Sequence, residues 1–173
     1  MYGPTNERES HAILDACRDL GVTHLDTANV YGMGKSETAI GTYLKANPGT
    51  RDEFVIATKA SITRDPDGNR SFDNSAEHLE SELDKSLKRL GLESVDLFYA
   101  HRRDPRFSPE ETAANLGRLV EKGKARAIGL SEVAPSTLRR AMKAFPIAAV
   151  QSEYSLSTRF PDLGLVQTCA ELG

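Results

Sequence analysis

Short apolar segments alternate with amphipathic segments along almost the whole chain. The apolar segments are four to seven residues long and rich in Val, Ile, Leu and Phe. Apolar residues at consecutive positions are typical of strands that are covered on both faces. The segments predicted to be strands are Thr23–Thr27, Phe54–Lys59, Val95–His101, Ala127–Ser131 and Ala148–Gln151.

Helical periodicity fills the intervals between these strands. The four leucines between Leu79 and Leu90 keep the spacing of one buried helix face, and Asn74 is the predicted N-cap of that helix. The next helix begins with a capping box and an N1 proline in Ser108–Glu111 and ends at Gly123. The remaining predicted helices are Glu7–Leu20, Ser36–Ala46, Ser136–Phe145 and Asp162–Leu172.

The alternation of strands and helices predicts an α/β fold. Parallel strands joined by helices require right-handed crossovers, and the composition shows no linker, so we expect a single domain over residues 1–173. The longest predicted loop is Ser61–Asn74. Loops of this length in small domains are often functional.

Each predicted strand ends on a polar residue. In a parallel sheet, all the C-terminal ends emerge on one side, so five polar side chains would surround one opening, as in the active sites of (β/α) barrels. An open doubly wound sheet would instead bind its ligand at a switch point. The five residues are Asp26, Lys59, His101, Ser131 and Gln151.

Tyr31 lies five residues after Asp26 and adds a candidate acid. A tyrosine releases its proton poorly at pH 7 unless a cation such as Lys59 stabilises the phenolate, and Asp26 can hold that lysine charged. His101 can donate a hydrogen bond to a carbonyl oxygen. These residues predict general-acid catalysis of carbonyl reduction by hydride.

Several linked motifs resemble those of the aldo-keto reductases. The segment Leu25–Glu37 is similar to the family signature, and further blocks follow in family order. These blocks are Ala57–Lys59, Asp96–His101, Gly123–Ser131 and Val150–Ser155. The resemblance covers essentially the whole chain. It implies a (β/α)8 TIM barrel that reduces a small aldehyde or ketone with NADPH, with NADH not excluded.

The resemblance also implies residue roles. Tyr31 would be the proton donor, Asp26 and Lys59 its tuning pair, and His101 the residue that orients the carbonyl. Ser131 and Gln151, with Asp26 nearby, would contact the nicotinamide end of the cofactor. These assignments match the positions of the family motifs in this sequence.

Judged against the family, the sequence lacks counterparts of barrel strands one, seven and eight, so we expect an incomplete (β/α)8 barrel of five parallel strands with outer helices. A complete barrel typically takes ~250 residues, whereas this chain has 173. The alternative hypothesis is therefore a catalytically inactive module, either a gene fragment or one part of an assembly. A second copy or a complementing chain would cover the open sheet edges.

Composition narrows the classes of function. The chain has 22 Lys and Arg against 25 Asp and Glu, a net charge of −3 and a mean hydropathy of −0.44. It has no basic stripe for nucleic acid and no apolar run of membrane-spanning length. The first residues, Met1–Asn6, do not resemble a signal peptide. With Cys17 and Cys169 outside any metal-binding spacing, we expect a cytoplasmic protein with reduced thiols.

Three other motifs favour different functions less well. Gly34-Lys35-Ser36 follows a strand as in a P-loop, but Asn29 replaces the required first glycine. Gly32-Met33-Gly34 matches only half of the dinucleotide-binding fingerprint. His24 and Asp26 share a strand face, yet no further ligand completes a metal site, so no metal is predicted and His24 is interpreted as a packed strand residue.

Overall fold

The computed structural model describes residues 6–173. Within this range, five parallel strands form one curled sheet, and its order β1-β2-β5-β6-β7 follows the sequence. The predicted architecture is thus confirmed. The strands are β1 (His24–Asp26), β2 (Val55–Ala60), β3 (Ile62–Arg64), β4 (Arg70–Phe72), β5 (Val95–Ala100), β6 (Ala125–Ser131) and β7 (Ala149–Gln151).

Helices cover one face of this sheet. Two of them are shorter than predicted: the fifth ends at Ala141 and is followed by turns up to Phe145, and Gly164, at φ 119°, separates the sixth from a 3-10 turn at Phe160–Leu163. The helices are α1 (Glu7–Asp19), α2 (Lys35–Ala46), α3 (Ala76–Leu90), α4 (Pro109–Glu121), α5 (Pro135–Ala141) and α6 (Leu165–Leu172).

The main hydrophobic core lies between the sheet and the helices. The leucine face of α3 belongs to one buried cluster with Ile56, Phe98 and Ile128, which lie on three neighbouring strands. Each fully buried leucine contributes roughly 1.5–3 kcal/mol of transfer free energy. Helices α2 and α3 approach closely at Gly41, where a Cβ atom would lie 2.2 Å from the backbone oxygen of Arg89. Only glycine allows this approach.

The opposite face of the sheet, called the inner face below, carries a smaller apolar cluster and the polar strand ends. Ala57, Leu97 and Tyr99 are buried there. At the N-terminal end of the sheet, the carboxylate of Asp96 accepts hydrogen bonds from the Ile56 backbone and from Arg51, both at 2.8 Å. Asp96 therefore ties the N-terminal ends of β2 and β5 together.

The predicted loop Ser61–Asn74 contains an antiparallel hairpin formed by β3 and β4. This hairpin was not predicted, although Asp65–Gly68 is a recognisable turn between two β-prone runs. The N-cap of α3 was also placed wrongly. Ser75 caps the helix by accepting the His78 N–H, whereas the buried Asn74 side chain accepts a hydrogen bond from the Asp104 N–H at 2.7 Å.

Each end of the five-stranded sheet is an edge. In the described residues, β1 pairs only with β2, and β7 pairs only with β6. Exposed apolar side chains, among them Leu156, Phe160 and Leu163, lie beyond β7. Within residues 6–173, no helix combines the length and hydrophobicity needed to cross a bilayer.

Candidate active site

The predicted site residues lie at the C-terminal ends of the five parallel strands. Asp26, Ser131 and Gln151 are the last residues of their strands, Lys59 is the penultimate residue of β2, and His101 directly follows β5. Strand register brings them side by side: Asp26 pairs with Ala57, and Ser131 pairs with Gln151. Parallel pairing thus gathers residues from five strands at one opening on the inner face.

Lys59 and Asp26 form an ion pair at this opening. The Lys59 side chain is fully buried, and its Nζ donates to both Asp26 carboxylate oxygens and to the backbone oxygen of Thr27, all at 2.7 Å. Burial lowers the pKa of Lys59, while the Asp26 carboxylate opposes this shift. The Asp26 carboxylate therefore helps to keep the Lys59 ammonium charged beside the neighbouring phenol.

Tyr31 lies in the turn that follows β1. Its ring centre is 5.2 Å from Lys59 Nζ, and it packs edge-on against the His101 ring with 5.7 Å between ring centres. Left-handed residues shape this turn: Met33 has φ 56° and Gly34 has φ 88°. The turn therefore places the Tyr31 ring close to both the lysine and the imidazole.

A buried polar network lies at the start of α2, directly after this turn. Glu37 is fully buried in the first turn of α2. Its carboxylate accepts a hydrogen bond from the Thr58 hydroxyl at 2.5 Å and from Arg89 Nε at 2.6 Å. Because removing one partner of a buried pair leaves an uncompensated charge, this network holds α2 firmly against β2 and α3.

His101 is buried beside these groups. Burial, together with the positive charges of Lys59 and Arg102, lowers the pKa of His101 to about 4. Its Nδ1 atom is buried and has no hydrogen-bond partner within residues 6–173. The imidazole is therefore uncharged at neutral pH and can donate one hydrogen bond.

We expect His101 to make the fold less stable as the pH falls from 6.5 to 4. The unfolded chain binds this proton in that window and the folded chain does not, so the free energy of unfolding rises with pH across it. The shift corresponds to about 3 kcal/mol. Urea unfolding of wild type and His101→Gln over this range measures the difference. Parallel pH profiles would contradict the expectation, and His24→Gln, at an exposed position, serves as the control.

Ser131 and Gln151 lie beside this cluster on the inner face. Ser131 is buried, and its hydroxyl accepts a hydrogen bond from Arg102 Nη1 at 3.0 Å. Gln151 is half-buried, and its side-chain amide forms no hydrogen bond within residues 6–173. The two positions offer one hydroxyl and one amide to a ligand.

Arg102 and Tyr99 were not predicted to belong to this region, and the prediction for His24 was wrong. Arg102 follows His101 at the end of β5, and Tyr99 is buried 5.8 Å from Lys59 Nζ, as measured to the ring centre. Neither carried a motif of its own. His24, interpreted as a packed residue, is exposed because β1 is an edge strand. Across the described part of the chain, no three potential ligands cluster around a metal position.

Residues 1–173 match the sequence model of the aldo/keto reductase family. Among curated relatives, the chain is 41% identical over 175 residues to "Aldo-keto reductase yakc [NADP(+)]" from Schizosaccharomyces pombe, covering 99% of this chain and 51% of that protein. It is 41% identical over 170 residues to "Probable aldo-keto reductase 1" from Glycine max, covering 98% of this chain and 49% of that protein. The chain thus spans about half the length of the curated relatives it matches.

Solved structures give a similar result. The thermostable aldo-keto reductase Tm1743, crystallised with the inhibitor epalrestat, superposes with a TM-score of 0.85 at 29% identity. The superposition covers 99% of this chain and 60% of that one.

Proposed function

Because this chain belongs to the aldo/keto reductase family, we propose that it reduces aldehyde or ketone groups to alcohols with NADPH, and that Tyr31 is the general acid. The observation that carries the proposal is the fully buried Lys59, which is held by Asp26 and lies 5.2 Å from the centre of the Tyr31 ring. A buried cation beside a phenol favours loss of the phenolic proton.

The other residues of the cluster would position the substrate. An uncharged His101 can donate a hydrogen bond to the carbonyl oxygen without repelling Lys59. The edge-on contact between the His101 and Tyr31 rings supports this arrangement, because the two donors belong to side chains that touch. A carbonyl oxygen held there would receive its proton from Tyr31, and Lys59 would stabilise the phenolate that remains.

The inner face fits the carboxamide end of a nicotinamide dinucleotide. A carboxamide offers one acceptor and one donor group, and the Ser131 hydroxyl and the Gln151 amide are complementary to both. When bound, the cofactor would supply a hydride to the carbonyl carbon. The hydride and the Tyr31 proton together convert the carbonyl into an alcohol, and Tyr31 regains its proton from solvent.

A second candidate function is a module that is inactive until another polypeptide completes it. It is favoured by the edges at β1 and β7, which pair on one side only within residues 6–173. A second copy or a complementing chain could pair with these edges, because unpaired strand edges are ready templates for association.

Transfer of isotopic label tests the reductase proposal. The purified 173-residue chain is incubated at high concentration with 4-nitrobenzaldehyde and NADPH that carries deuterium at C4, and in parallel with the same label in NADH. We expect deuterium on the alcohol carbon, more from NADPH. Lys59→Met should abolish the labelled product, whereas Lys45→Met, at an exposed position of α2, should not. Equal labelled product in both variants would refute the proposal.

A further inference from the structure

Four arginines in the segments that follow β2 and β5 have no carboxylate partner within residues 6–173. Every other arginine in this range forms an ion pair, except Arg8 and Arg118. The four occupy two segments, namely the β3–β4 hairpin and the loop after β5. They are Arg64, Arg70, Arg102 and Arg103.

Among the four, Arg102 is bound directly to predicted site residues. Its Nη1 donates to the His101 backbone oxygen at 2.7 Å and to the Ser131 hydroxyl at 3.0 Å. The guanidinium therefore lies between the ends of β5 and β6. Its Nε and Nη2 have no acceptor in the described chain, and this edge of a guanidinium is the one that binds a carboxylate with two parallel hydrogen bonds.

Arg70 brings a second unpaired charge to the same opening. Its guanidinium lies over the Phe72 ring at 5.5 Å, and it faces Arg64 directly across the hairpin. Like charges in opposite positions of a strand pair are destabilising. The hairpin is tied to the site because Arg106 Nη2 donates to the Phe72 backbone oxygen at 2.8 Å.

The charges of these arginines affect His101 electrostatically. The positive charges of Arg102 and Arg70 both contribute to the lowered pKa of His101, and the Asp26 carboxylate opposes them. Asp26 is itself bound to Lys59. The opening thus carries excess positive charge, which a bound anion would neutralise.

We propose that the carbonyl substrate of this site carries a carboxylate, and that Arg102 and Arg70 bind this group at the opening. The inference rests on the proposed function, because it names the substrate class of the same site. Arg102 would hold the carboxylate through its Nε–Nη2 edge, and Arg70 would approach from the hairpin. A carbonyl in the same molecule would then lie toward His101 and Tyr31.

Binding of matched probes to the 173-residue chain tests this inference. The probes are 4-(hydroxymethyl)benzoate and the neutral benzyl alcohol, and the readout is the ring proton signal of His101 in NMR titrations. We expect the carboxylate probe to bind ~10-fold more tightly, since hydrogen bonds to charged groups are among the stronger ones. It should also raise the pKa of His101.

Variants identify the groups responsible. Arg70→Gln and Arg102→Gln should each weaken binding of the carboxylate probe ~10-fold and leave benzyl alcohol unchanged. Arg102→Lys should restore only part of the loss, because lysine keeps the charge without the planar fork. Arg118→Gln, on the exposed surface of α4, removes the same charge and should change neither affinity. Arg70 occupies the exposed first position of β4, so its variant remains informative if Arg102→Gln fails to fold.

The outcomes separate the two proposals. Equal affinity of the wild type for both probes overturns the carboxylate inference, whatever the label-transfer assay gives. If Arg70→Gln and Arg102→Gln instead weaken binding of 2′,5′-ADP and leave the carboxylate probe unaffected, the arginines bind the dinucleotide and the inference is wrong. Arginine-dependent binding of the carboxylate without any label transfer refutes the proposed reduction but supports the anion subsite.

Discussion

Replacing Tyr31 with phenylalanine is expected to slow carbonyl reduction by about 10²–10⁴-fold, the usual contribution of a general acid. The substitution removes the phenolic proton and keeps the ring that packs against His101. Affinity for NADPH should therefore stay nearly unchanged. A loss that appears in the rate constant and leaves cofactor binding intact is the signature of an interaction made only in the transition state.

Single-turnover reactions at high enzyme concentration measure this effect even where the wild-type rate is low. Tyr99→Phe is the matched control, because it removes a second phenol 5.8 Å from the same lysine, measured to its ring centre. Burial raises the pKa of Tyr99 to about 12, so it is the poorer proton donor. Undiminished reduction by Tyr31→Phe, or an equal loss in Tyr99→Phe, would show that another group is the acid.

The 173-residue chain by itself is expected to reduce carbonyls poorly and to bind NADPH weakly. Ser131 and Gln151 can contact the carboxamide end of the dinucleotide, and the rest of it would stay largely in water. Because hydride transfer requires near-attack geometry, an error of ~1 Å in the placement of the cofactor can cost ~10²-fold in rate.

Three measurements on the purified chain check this expectation. They are titration with NADPH followed by cofactor fluorescence, size-exclusion chromatography, and an aldehyde-reduction assay run beside the Schizosaccharomyces pombe relative. We expect turnover at least ~10²-fold below that of the relative, together with self-association through the edges of β1 and β7. Tight cofactor binding and fast turnover by a monomer would contradict it.

The five-stranded sheet was predictable because its three central strands are buried on both faces. Segments such as Val95–His101 are apolar at consecutive positions, and that pattern is typical of a strand between two packed layers. The residues at the strand ends were predictable for the same reason, since Lys59 and Gln151 stand out as polar after an apolar run. Their convergence follows from parallel pairing alone.

Other features depend on contacts between distant segments, which one-dimensional patterns do not contain. Asn74 and Ser75 are both good N-cap residues. The choice between them depends on Asp104, whose backbone N–H donates a hydrogen bond to the Asn74 side chain. The position of Arg102 between two strands depends on Ser131, which lies 29 residues further along the chain. The exposure of His24 depends on which strand occupies the edge.

The order of the sheet has a consequence for how the chain folds during synthesis. Each strand pairs with the parallel strand made just before it, as in Leu25 with Ile56, Ala57 with Leu97, and Gly129 with Ala149. No pairing in the described sheet joins its first strand to its last. During synthesis, the N-terminal segments of the chain emerge from the ribosome first. Each strand–helix unit can therefore dock as soon as it is synthesised, and the most distant of these pairings closes long before the chain is complete.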